Sequence, residues 1–376
     1  MKKNVSSRFR VYALLLFFFA TVFLLPACRT GDAKLYLMAG AVPGAMLILL
    51  IFPGLLIPLD RPSLCAALPL CGFGIMAAAY ASPDEALSHC MRCVASLFLL
   101  AAGSVLIRSY RPSLPAAALL AFFGLGILCS PLWIPEIPFS LAEIGTVVLL
   151  LAVTSFLAVR LRLPALLTAF GGLLLLLLQK NTGAVAVWGL SAVLLFWAAA
   201  DSLLWSGISL AGFIAVGSIF FTFSSPAVEK EALSALPRIA SLPLIPPESI
   251  PESTEGITSD SPFFLLGKQY GLIFLLCAIL FLILLLIRCA SVARHTRKGF
   301  HASLVLGIIL HFGLRTFLFL CTAAVPIPVS AGSFPFLTYS APDLFSHFFL
   351  LGLLSGVSAR NEADLEEDLR LSMLAR

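Results

Sequence analysis

Apolar runs long enough to cross a membrane recur from one end of the sequence to the other. They lie near 11–27, 35–58, 63–81, 90–107, 114–130, 143–159, 163–178, 184–200, 203–223, 263–287, 301–324 and 342–358. A spanning helix needs about 20 apolar residues, within a range of about 17–25. The pattern predicts an all-α, polytopic integral membrane protein of 10–12 transmembrane helices in a single membrane domain over residues 1–376. Short neighbouring runs such as those within 163–200 could be half-helices. One connection stands apart: residues 224–262 are rich in Pro, Ser and Glu and include PPESIPESTEGITSD. Loops of that length between packed elements are functional or disordered.

Composition removes the soluble alternative. Hydrophobic residues make up 60% of the chain and charged ones 11%, with a mean hydropathy of +1.04, against about 45–50% apolar and about 25% charged in a soluble domain. Placement matters more than the net charge of +5, because short cytoplasmic loops collect Lys and Arg. Lys2, Lys3, Arg8 and Arg10 put the N-terminus inside. Alternating from there, Arg108 with Arg111, Arg160 with Arg162, and Arg288, Arg294, Arg297 and Lys298 all fall on the cytoplasmic side. The loop 224–262 is then extracytoplasmic and the acidic tail 359–376 cytoplasmic.

The start, a basic stretch followed by an apolar run and LPAC at 25–28, also reads as a lipoprotein signal cleaved before Cys28. Pro26 fits such a site poorly, and an uncleaved first span preserves the charge alternation. Most of the nine cysteines lie in apolar runs, where Cys behaves as a small hydrophobe, so no disulfide framework is implied. His89, Cys90 and Cys93 form HCMRC, a metal-like spacing without a second cysteine pair, and they read as ordinary helix-end residues. No repeat, phosphate-binding loop or dinucleotide fingerprint is visible. In the tail, Leu365, Leu369 and Met373 fall four apart and give one apolar helical stripe behind an acidic first turn.

Residues 260–271 read DSPFFLLGKQYG, similar to the pattern DFIFAVIGEEFG, and 328–344 read PVSAGSFPFLTYSAPDL, similar to PVTGLPLPFISYGGSSL. The chain closes with LGLLSGVSAR at 351–360, close to LGLLLSISR. These are patterns of the SEDS family (shape, elongation, division and sporulation), and the collinear likeness covers about a hundred residues. Upstream, PFSLAEIG at 138–145 resembles SFQPSELAK, keeping Glu143 but with Thr146 at the family's Lys. LLQKNTGA at 177–184 resembles LLQPDLGT, with Asn181 at the Asp. Five runs precede Glu143 where the family has three in a total of ten, so the N-terminal third either diverges from the family or holds fewer spans than its runs suggest.

The resemblance implies a peptidoglycan glycosyltransferase of the bacterial inner membrane that polymerises lipid II during elongation, division or sporulation, beside a class B penicillin-binding transpeptidase. Such a step needs a carboxylate to take a sugar hydroxyl proton and cations or amide donors for the departing undecaprenyl pyrophosphate. Asp260 stands at the family's essential Asp and is the catalytic candidate. It is also placed to cap the span that follows. Glu143, Lys180, Asn181, Lys268, Arg315 and Tyr339 are candidates for the substrate cavity. Glu143 lacks the Lys one turn on with which the family's Glu pairs. Asn181, Lys268 and Gln269 replace acids, which makes the outer cavity less acidic. Arg315, inside a span, calls for a polar partner, and the segment 325–342 is expected to fold back into protein. No cofactor or metal ligand set is evident, although a divalent cation suits pyrophosphate chemistry, and no nucleic-acid partner is indicated. The alternatives are a catalytically silent scaffold in a cell-wall assembly and a lipid flippase or transporter. The absence of paired intramembrane charges argues against the last.

The orientation is checked by a single cysteine at Ser253, which should react with an impermeant thiol reagent in whole cells. Labelling only after lysis would reverse the topology.

Overall fold

A computed structural model describes the whole chain except residues 1, 57–58, 135–140, 201, 224–238, 240–241, 246–261, 297–298, 326–328, 330–331 and 375–376. Among the described residues it is helical, with one isolated bridge, Phe334 to Leu337. The helices are α1 (Lys2–Thr30), α2 (Ala33–Leu56), α3 (Arg61–Ala81), α4 (Pro83–Ser109), α5 (Leu114–Trp133), α6 (Ala142–Ala158), α7 (Arg162–Leu178), α8 (Thr182–Ala199), α9 (Leu203–Phe223), α10 (Pro262–Tyr270), α11 (Leu272–Arg294), α12 (Gly299–Ala324) and α13 (Ala341–Leu374). Eight of them are long and apolar enough to span a membrane, and three shorter apolar helices accompany them among the described residues. The chain is a multi-pass membrane protein.

Helix starts follow local chemistry. Asp60, Ser113 and Asn181 each accept a main-chain N–H of the first turn of α3, α5 and α8, which satisfies a donor that has no partner within the helix. The span expected at 263–287 is instead two helices. Gly271, at φ +86°, breaks it, because a positive φ costs glycine nothing and any other residue something. The tail also differs from expectation. Helix α13 runs unbroken for 34 residues through its acidic stretch, so those acids lie within a continuing helix rather than at a new N-terminus. At about 1.5 Å per residue it extends beyond a hydrocarbon layer of about 30 Å.

The chain divides into two compact units. The first comprises residues 1–108, 241–288 and 334–359. Within it, Gly352 and Gly356 of α13 meet the main chain of Leu100 and Ser104 on α4, while Gly103 meets the carbonyl of Phe349. This is the small-xxx-small spacing that lets two helices approach at backbone distance in lipid, where the hydrophobic effect does not drive helices together. The closing segment LGLLSGVSAR is therefore explained by packing. At one end of the same unit, buried Asp60 is gripped by Arg288, whose Nε lies 3.1 Å from Oδ2, and by the Ser358 hydroxyl at 3.0 Å.

The second unit comprises residues 109–240, 289–333 and 360–376. Its centre is α6, buried along almost its whole length, as a helix apolar on every side must be. Helices α5, α7, α8 and α12 pack on it. Asn361 anchors the start of the tail by donating to Thr296 Oγ1 at 3.0 Å.

A Cβ at Gly103 would lie 2.7 Å from the Phe349 carbonyl oxygen, a backbone atom unable to step aside. Gly103→Ala is therefore expected to destabilise by about 1–3 kcal/mol, read as a lower thermal midpoint in detergent. Gly126→Ala, with nothing within 4 Å, should be neutral or stabilising. Equal midpoints for the two variants would show that the α4–α13 approach is not tight.

Candidate functional site

Glu143 sits in the first turn of α6, where the helix dipole favours an anion. Its carboxylate pairs with the Nη1 of Arg315 from α12. Arg315 is 4% exposed, and its remaining nitrogens are engaged as well: Nε donates to the Ser333 carbonyl and Nη2 to the Ser333 hydroxyl, both at 2.9 Å. Gly332, at φ +65°, turns the chain beside this guanidinium. His311, one turn before Arg315, places Nε2 3.6 Å from the same carboxylate. Thr146 Oγ1 donates to the Glu143 carbonyl at 2.9 Å.

These contacts correct two expectations. The missing Lys at 146 does not leave Glu143 without a counter-charge, because α12 supplies one. Nor do the spans lack paired charges. The reason is the cost of an ionised group in hydrocarbon, which drives such groups toward one another in the protein interior. With all three nitrogens of its guanidinium engaged, Arg315 acts as a fixed ion-pair node.

Lys180 and Asn181 have local work. Lys180 takes φ +57°, its N–H bonding the Leu177 carbonyl at 2.9 Å while that of Asn181 bonds Leu176 at 3.2 Å. This pair of bonds is the Schellman ending of a helix, with Lys180 at the left-handed position where glycine is usual. Asn181 then caps α8 by accepting the Ala184 N–H at 3.1 Å. Asn and Asp cap about equally well, so the exchange of acid for amide leaves this turn intact.

The other candidates belong to the first unit. Asp260 lies outside the described residues. Lys268 is half-buried on α10, a helix otherwise enclosed on nearly every side. Phe263 at its start stacks on Phe334 with ring centroids 4.9 Å apart. Residues 334–338 are buried, as irregular backbone beside lipid must be, and the N–H of Phe336 donates to His347 Nδ1 at 3.3 Å. Tyr339 follows, its ring edge-on to His89 at 5.2 Å and its carbonyl accepting from Arg92 Nη1 at 2.7 Å. Burial, and secondarily the charge of Glu85, pushes the Tyr339 phenol up, so it remains a neutral hydroxyl at physiological pH.

With this geometry in place, two solved structures prove similar. One, described as "Structural coordination of polymerization and crosslinking by a peptidoglycan synthase complex", matches 81% of this chain and 98% of its own at 17% identity and a TM-score of 0.57. The other is the Thermus thermophilus rod shape determining protein RodA in an aspartate-to-alanine mutant, with 80% and 97% covered, 19% identity and a TM-score of 0.58. The fold is RodA-like. No family model and no curated protein matches the sequence, and at these identities the likeness is one of fold.

Of the residues named from the sequence, the RodA-like fold joins Glu143 to Arg315. It gives Lys180 and Asn181 to a turn, and places Lys268 and Tyr339 in the first unit. Sequence reading missed His311 and Ser333. The four-residue spacing of His311 and Arg315 on one helical face was a usable signal, whereas nothing local marks Ser333. Among the described residues no cluster of His, Cys, Asp or Glu could hold a metal ion.

Removing one member of a buried pair strands the other. Arg315→Ala should therefore destabilise the protein by about 3–5 kcal/mol, measured as folded yield and thermal midpoint in detergent. The double variant Glu143→Gln with Arg315→Met should recover most of that loss. Wild-type stability of Arg315→Ala would show that the pair does not hold the unit together.

Proposed function

We propose that this chain is a SEDS-type peptidoglycan glycosyltransferase that polymerises lipid II at the outer face of the bacterial inner membrane, with a class B penicillin-binding transpeptidase as partner. The observation that carries the reading is the packing of its two motif segments: Phe263, three residues after Asp260, stacks on Phe334, five residues before Tyr339. That contact, within a fold shared with the RodA structures over four-fifths of the chain, favours a common site for the two segments.

In this reading Asp260 is the general base that takes the proton of the attacking sugar hydroxyl. Lys268 and the neutral Tyr339 hydroxyl are assigned to the pyrophosphate and sugar of the substrate. Glu143 and Arg315 hold the second unit in shape, and Lys180 presents a cation at the α7–α8 turn. A divalent cation at the pyrophosphate is compatible with the scheme.

A second reading, a catalytically silent scaffold in a cell-wall assembly, is favoured by Lys268 at a family acid and by Asn181, which serves its turn without a carboxylate.

Asp260→Asn separates them. The amide keeps size and capping ability but removes the base, so lipid II polymerisation should fall by about 10²–10⁴-fold while expression and co-purification with the transpeptidase persist. Full polymerisation by the variant would remove Asp260 from the chemistry. An inactive wild type in the same assay would favour the scaffold.

A further inference from the structure

The short helix α10 begins two residues after Asp260 and ends at Tyr270, one residue before the break at Gly271. A nine-residue helix is too short to be stable by itself, so its direction is set by what grips it. Two remote parts of the first unit grip its C-terminal end. From one side, Leu272 N–H donates to the Pro243 carbonyl at 2.8 Å. There a Cβ on Gly271 would lie 2.8 Å from the Leu244 carbonyl oxygen, so the residue is tied to glycine by contact as well as by its φ. From the other side comes Arg29, in the last turn of α1. Its Nη1 donates to the Gln269 carbonyl at 2.9 Å, and its guanidinium lies 5.2 Å from the centroid of the Tyr270 ring. The Gln269 carbonyl is one of the last in α10, a group with no acceptor role inside the helix, and a cation at this end complements the helix dipole. Tyr270 is itself held, 1% exposed and packed against Phe274 at 5.3 Å.

We infer that Arg29 is a positioning residue: α1 clamps the C-terminal end of α10 through it and thereby fixes the direction in which α10 presents Lys268 and, in its first turn, the Phe263 ring that stacks on Phe334. The helix is about 13.5 Å long at 1.5 Å per residue. A tilt of roughly 10° about its clamped end therefore moves its first turn by about 2 Å. A misplacement of about 1 Å can lower a reaction rate by about 10²-fold. A lysine in place of Arg29 keeps the charge but loses the planar, forked guanidinium that lies over the Tyr270 ring while donating to the Gln269 carbonyl. The clamp thus makes a graded prediction: wild type, then Lys, then Ala.

The catalytic arm of the test rests on the function proposed above, and the structural arm does not. Full-length protein with its transpeptidase partner is prepared in nanodiscs as wild type, Arg29→Lys and Arg29→Ala, with the neutral Arg29→Gln alongside in case the Ala variant does not fold. Amide hydrogen exchange over residues 262–272 should accelerate by about fivefold or more in Arg29→Ala, a local opening, and less in Arg29→Lys, with helices of the second unit unchanged. With lipid II as substrate, kcat should fall by about tenfold in Arg29→Ala while KM stays within about twofold, and Arg29→Lys should recover part of it. Unchanged exchange in both neutral variants would overturn the clamp. Faster exchange with an unchanged kcat would overturn the positioning role. If wild type does not polymerise lipid II, the proposed function fails, and the exchange rates alone decide whether α1 holds α10.

Discussion

An arginine held inside a helical membrane protein must find acceptors, and meeting that requirement for Arg315 organises the second unit. Its guanidinium binds the carboxylate at the start of α6 and both the carbonyl and the hydroxyl of Ser333. One side chain thus ties α6 and α12 to the chain that leaves α12. Removing both charges together costs little when the space is refilled. Removing one exposes the other to a medium that cannot solvate it. The pair therefore acts as a constraint on geometry more than as a source of net stability.

The same absence of water governs the irregular segments. Backbone groups outside helices need partners wherever lipid would otherwise surround them. The break between α10 and α11 is covered by the Pro243 carbonyl and by Arg29. Residues 334–340 are covered by a local bridge, by His347 and by Arg92. These are the segments that carry the motif residues, so the places where the helical pattern fails are also the places where chemistry is proposed. Strong local grips make such places definite in shape: a left-handed Phe336 at φ +63° persists only because its surroundings hold it.

Departures from the SEDS pattern become intelligible in the same terms. Thr146 cannot replace a lysine charge, but Glu143 takes its cation from another helix. Asn181 cannot act as a base, yet it caps α8 as an aspartate would. In both cases the local contacts of the fold are kept. Such exchanges are compatible with a RodA-like fold at 17–19% identity.

The sequence by itself determined the class of the protein and the identity of its elements. Runs of apolar residues about as long as the membrane is thick can only be helices there, and Asp60, Ser113 and Asn181 mark helix starts by a local hydrogen bond. Gly271 and the glycines at 352 and 356 were visible too, but not their purpose, since a run of apolar residues with a glycine in it reads the same whether it breaks or packs. Tertiary structure decided what each charge meets. Arg288 reads as a marker of the cytoplasmic side and proves to be the partner of Asp60. Arg29 carries no signal of its own in the sequence, and the fold brings it to the Gln269 carbonyl of α10. Arg315 asks for an anion without naming it. The physical reason is common to all three. Local propensity is set by near neighbours in the chain, whereas ion pairs and caps between helices depend on which faces the packing brings together.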